Sequence, residues 1–155
     1  MKHMKTIFFS SFVNVLFLTC HAHHQTVTAE ISFGELIDKI TILTIKSQRI
    51  TNKEKLNNVC TELASLQKTG LASIGNRDDI IQLQALLQKI NEELWDIEDA
   101  IRIKERNKEF DDEFISIARS VYVTNDKRCA IKKQIDAILG SHITEEKSYE
   151  KLSYE

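Results

Sequence analysis

Two carboxylate pairs in this sequence have the spacing that divalent-cation chemistry needs. Glu35 and Asp38, and again Glu93 and Asp96, each stand at positions i and i+3. On a helix that spacing sets both side chains on one face, as a hard cation held by oxygen ligands requires. Glu35, Asp38, Glu93 and Asp96 are therefore the candidate metal set. The same spacing arises on any charged helix, and the reading adopted is that no metal and no cofactor is bound.

A second concentration of chemistry surrounds Trp95, the only Trp of the chain. Glu93, Trp95, Asp96, Glu98 and Arg102 lie on one segment, and Arg119, Tyr122, Asn125, Asp126 and Arg128 on another. Together they form a candidate polar cluster, for which two readings stand. In the first it is a partly buried salt-bridge network that fixes helix register, because a charge inside an apolar seam is kept for orientation. In the second, Arg119 or Arg128 holds an anionic ligand and Trp95 or Tyr122 stacks on it. Arg128→Leu separates them: it stabilises a merely structural cluster and abolishes binding at a site. Other catalytic sets are missing. His142 is the only His beyond the first 24 residues, and there is no Gly-rich phosphate loop, Ser-His-Asp set or His-x-x-x-His helix.

These residues must be positioned by helices. The chain has no Pro and four Gly, where average usage predicts about seven or eight Pro. Ser32-Phe-Gly-Glu35 reads as a capping box that opens a first helix to about Arg49. Thr51-Asn-Lys-Glu54 reads the same way, and the second helix is predicted to stop at Gly70. Ile80, Leu83, Leu87, Ile90, Leu94, Ile97 and Ile101 keep strict three-four spacing, a coiled-coil-like seam on a helix from Asp78 or Asp79 to Lys108. Asp111 or Asp112 caps a fourth helix, whose seam runs from Phe114 to Ile138 and stops at Gly140. The fold class predicted is all-α, an antiparallel four-helix arrangement. A hairpin turning near Phe110–Asp111 places Ile97 opposite Thr124 and Glu93 opposite Arg128.

The organisation expected is a signal peptide over 1–22, a linker over 23–31, a helical bundle over 32–140 and a polar tail over 141–155. Lys2 and Lys5 precede an apolar run, Ile7–Leu18, and cleavage would follow Ala22. The alternative is a start downstream, for instance at Val27. Export and a cytoplasmic location thus both stay open. The apolar run is too short for a permanent membrane span. Cys20-His21-Ala22-His23-His24 reads as solvated linker rather than a metal tract. Cys60 and Cys129 read as small buried hydrophobes, the alternative being a pair in an oxidising compartment, which spacing does not decide. The chain holds 21 Lys and Arg against 23 Asp and Glu, interleaved, which gives no basic face for nucleic acid.

The blocks Gly34-Glu-Leu-Ile-Asp-Lys-Ile-Thr-Ile-Leu43, Leu94-Trp-Asp-Ile-Glu-Asp99 with Arg102, and Ala118-Arg-Ser-Val-Tyr122 with Asn125-Asp126 carry a resemblance. In this order they resemble a bacterial family of short helical proteins classed as a domain of unknown function. The resemblance spans roughly Ile31 to Ile138. It implies an accessory role in surface-glycan biology. The function predicted is a non-enzymatic helical accessory or interaction module, with a protein partner or self-association. The alternative is a Mg²⁺-dependent all-α nucleotide phosphohydrolase built on the two Glu-x-x-Asp pairs.

Overall fold

The computed structural model describes residues 26–148. The signal-peptide segment and the Cys20–His24 tract lie outside the described residues. Four helices follow one another: α1 Phe33–Arg49, α2 Lys53–Ile74, α3 Asp78–Asn107 and α4 Asp112–Leu139. The fold is all-α, and the helices form a four-helix arrangement. No described helix is long and apolar enough to cross a membrane.

Local chemistry sets the helix ends. The Ser32 hydroxyl accepts from the Glu35 amide and starts α1. Asn52, one residue later than expected, starts α2 by accepting from the Lys55 amide. Asp111 does the same for α4 through the Phe114 amide. Lys108 closes α3 at φ 62° and Gly140 closes α4 at φ 67°, both left-handed. The expected stop at Gly70 does not occur. The α2 helix runs through it to Ile74 and ends at Gly75, φ 70°. Gly70 is buried, and a Cβ there would lie 3.3 Å from Ile40 Cδ1. Its smallness serves helix packing rather than termination.

The α1 helix is the centre of the molecule, because it touches all three others. It buries Leu36, Ile37, Ile40, Leu43 and Ile45, a stripe too wide for one neighbour. Ile37 joins Ile80, Leu87, Ile90 and Leu94 of α3 and Ile131 and Ile135 of α4 in the main core. Paired residues show α1 parallel to α3 and antiparallel to α4. Asp38 meets Asn91 and Arg49 meets Asp96, whereas Gly34 meets Asp136 and Asp38 meets Arg128. The α2 helix packs along α1 and fully buries only Gly70, with Ile74 reaching the core from its end. The bundle is thus three helices, α1, α3 and α4, with α2 as a flanking fourth.

Candidate functional site

Asp38 organises the polar interior. It sits on the face of α1 turned toward both α3 and α4 and is 2% exposed. A carboxylate so deep requires a paired charge and hydrogen bonds to its oxygens. Arg128 supplies both from α4: Nε donates to Oδ1 at 2.9 Å while Nη2 donates to Oδ2. This is the bidentate geometry that suits a planar guanidinium. The carboxylate keeps the Arg128 pKa above its ordinary value against the opposing effect of burial. From α3, Asn91 donates to Asp38 Oδ1 and to Thr41 Oγ1, each at 2.9 Å. Thr41 in turn donates to the Asp38 carbonyl at 2.8 Å. One carboxylate thereby ties three helices together.

One turn toward the start of α1, a second layer repeats the logic. Lys132, 7% exposed, is bound by Glu35 of α1 and by Glu145 from the segment after α4, the latter at 2.6 Å. The Glu35 carboxylate is therefore engaged across the helix pair. Asp136, also buried, accepts from the Gly34 amide at 2.7 Å. Burial pulls the Lys132 pKa down, but hydrogen bonds to Glu145 and Glu35 outweigh it and leave the pKa raised. Arg128, Lys132 and Asp136 share one face of α4 at four-residue spacing, against Glu35 and Asp38 on α1. A polar cavity of about 230 Å³ opens beside this layer, lined by Glu35, Arg128, Cys129, Lys132, Glu145 and Lys147.

The residues singled out from sequence separate into several groups. Arg128 takes Asn125 as a further partner, Nη1 to Oδ1 at 3.3 Å, but it turns to α1 rather than to Glu93. Glu93 instead accepts from Thr124 at 3.2 Å. Trp95 donates from Nε1 to Asp99 at 3.0 Å, and its ring lies 5.7 Å from the Arg49 guanidinium. Arg49 also binds Asp96. Glu98 and Arg102 pair with each other across one turn at 3.0 Å. Arg119, Tyr122 and Asp126 are exposed on α4. The polar network between α1, α3 and α4 thus includes the half-buried Arg128 and Asn125 of the expected cluster. It also recruits Asp38, Thr41, Asn91, Lys132, Asp136 and Glu145, which sequence reasoning did not place with them. The usable signal was the matched charge order on α1 and α4.

The metal set does not converge. Asp38 is held by Arg128, Glu35 by Lys132, Glu93 by Thr124 and Asp96 by Arg49. Among the described residues no group of three or more His, Cys, Asp or Glu side chains is arranged to hold a metal ion. Nor does any buried side-chain nitrogen or oxygen there lack a partner. Cys129 is buried and free, whereas Cys60 is exposed on α2, contrary to the expectation of two buried thiols. No curated protein and no solved structure matches the chain significantly. The family model that matches covers residues 27–153 and therefore all four helices. The chain belongs to the family of unknown function DUF6165.

Proposed function

We propose that the chain is a non-enzymatic helical interaction module that pairs with a second copy of itself through the outer face of the α3–α4 hairpin. The observation that carries this reading is an open groove on that hairpin. Two adjoining cavities, about 580 and 480 Å³, share Leu86. Leu83, Leu86, Ile90, Ile131 and Ile138 line them between the two helices. Leu86 and Ile138 are 44% and 42% exposed, so apolar side chains of the groove face solvent. Among the described residues no buried side-chain nitrogen or oxygen is left without a partner, which suits a scaffold better than a catalytic centre.

The charges at the rim favour a second copy as the occupant. Asp79 stands at one end of the groove beside its ion-pair partner Arg77, and Lys89 and Lys127 stand with Glu93 at the other. A two-fold axis through Leu86 brings Asp79 of one chain to Lys89 and Lys127 of its partner, the two lysines outnumbering Glu93 at that end. Each groove then receives the other's Leu86 and Ile138, and two hairpins close as four helices. Sedimentation equilibrium of the full chain is expected to show a dimer at tens of micromolar. Leu86→Lys, at an exposed position, should leave a folded monomer. A wild-type chain that stays monomeric at several hundred micromolar would rule the pairing out.

A further inference from the structure

We propose that the cavity beside Lys132 is a binding site for a small oxyanion, a phosphate or carboxylate group, and that Glu145 occupies the site in its absence. This inference is independent of self-association, because the cavity lies on the α1–α4 side of the molecule. Lys132 is the built part of the site. Its side chain is 8% exposed, so its ammonium has left bulk water and must be matched by anions. Two carboxylates do this, and they differ in kind. Glu35 belongs to the first turn of α1, held in place by the Ser32 cap. Glu145 belongs to Ser141–Ser148, which follows the Gly140 cap and has no regular secondary structure.

The bonds holding this segment are few. The Ser141 amide donates to the Asp136 carbonyl and its hydroxyl to the Ile143 carbonyl, Lys133 pairs with Glu146 on the surface, and His142 lies 3.7 Å from Glu30, both exposed. Glu145 is thus a replaceable anion at a cation that is not replaceable. With the Glu145 side chain turned out and its segment in place, the cavity presents Lys132 and Lys147 against Glu35, while Asp38 keeps Arg128 neutralised from behind. The remaining positive charge, and the donors freed on Lys132, suit a group with two or more oxygens. A volume of about 230 Å³ suits a ligand head of a few atoms rather than a cofactor.

The test is calorimetric titration of the full chain with inorganic phosphate and, separately, with malonate, each against sodium chloride at matched ionic strength. Glu145→Gln removes the competitor. If the clasp is closed about nine-tenths of the time, this variant binds about tenfold more tightly than wild type. Saturable binding of malonate alone assigns the site to carboxylates, and of phosphate alone to phosphate groups. Lys132→Met should abolish binding. Since that change can unfold the bundle by stranding Glu35, Lys147→Met at the cavity edge is the second variant and should weaken binding severalfold. The proposal is overturned if neither anion binds Glu145→Gln better than chloride does. It is also overturned if Glu145→Gln and wild type bind equally, or if the lysine variants bind as wild type does.

Discussion

Asp38 accepts from Arg128 and Asn91 while almost out of solvent, so the consequence of removing one partner depends on what is left behind. Arg128→Leu leaves the carboxylate buried with only the Asn91 amide to compensate it. That single change should cost about 3 kcal/mol, near the low end for a broken buried pair because Arg128 keeps partial exposure. The sequence alone predicts that this change stabilises a merely structural cluster; the structure predicts the opposite for such a cluster, since Arg128 neutralises an acid of another helix rather than interrupting a seam. Replacing both residues, Asp38→Leu with Arg128→Leu, should recover most of the loss, because two apolar groups need no compensation. Urea denaturation of the two singles and the double measures this. A double variant no more stable than the worse single would mean that the pair is not the source of the cost. The residue types were plain in the sequence, but their partners were not. Asp38 and Arg128 lie 90 positions apart, and only the docking of α1 joins them.

At the scale of elements, two glycines show how packing overrides local rules. A Cβ at Gly34 would lie 2.7 Å from the Lys132 carbonyl and 3.0 Å from Asp136 Oδ2. The carbonyl is backbone of a packed helix and does not move freely. Gly34→Ala should therefore push α1 away from α4 and cost about 1–3 kcal/mol. At Gly70 the nearest atom is the end of the Ile40 side chain, which can turn aside. Alanine also gains roughly 1 kcal/mol of helix propensity over glycine in a helix interior. Gly70→Ala should thus leave the melting temperature within a few degrees of wild type, where Gly34→Ala lowers it clearly. Thermal denaturation by circular dichroism compares the two. The caps at Ser32 and Asp111, and the stop at Gly140, were legible because they depend on neighbours in sequence. The role of Gly70 was not, because it depends on Ile40.

For the whole molecule, the clasp between the tail and the bundle makes stability depend on pH at both ends. Lys132 is the main cause that holds the Glu145 carboxyl below its ordinary value. Its contribution is complete above the ordinary Glu pKa, about 4.3, and is lost as pH falls through the lower folded value. Lys132 itself is raised, so its contribution is complete below about 10.4 and is lost as pH rises beyond that. Glu35, Arg128 and Lys147 face the same cavity. Amide exchange of Ser141–Ser148 is expected to be slowest between about pH 5 and 10 after correction for the intrinsic rate. It should rise in acid before the helices open. Exchange in this segment that follows only the intrinsic rate down to pH 3 would refute the clasp. The sequence led only to a polar tail here, because Glu145 and Glu146 read as surface charge until Lys132 and Lys133 were brought beside them.

By itself the sequence determined four helices, most of their ends and an apolar stripe for each, since periodicity and capping act over a few residues. Its charge balance and lack of a catalytic set also narrowed the chemistry. Only the tertiary structure decided which stripe faced which. It put α1, and not the α3–α4 seam, at the centre of the polar interior. The reason is physical. A helix with two apolar faces has several dockings of similar hydrophobic gain, and the choice falls to the pairing of Asp38 with Arg128 and Glu35 with Lys132.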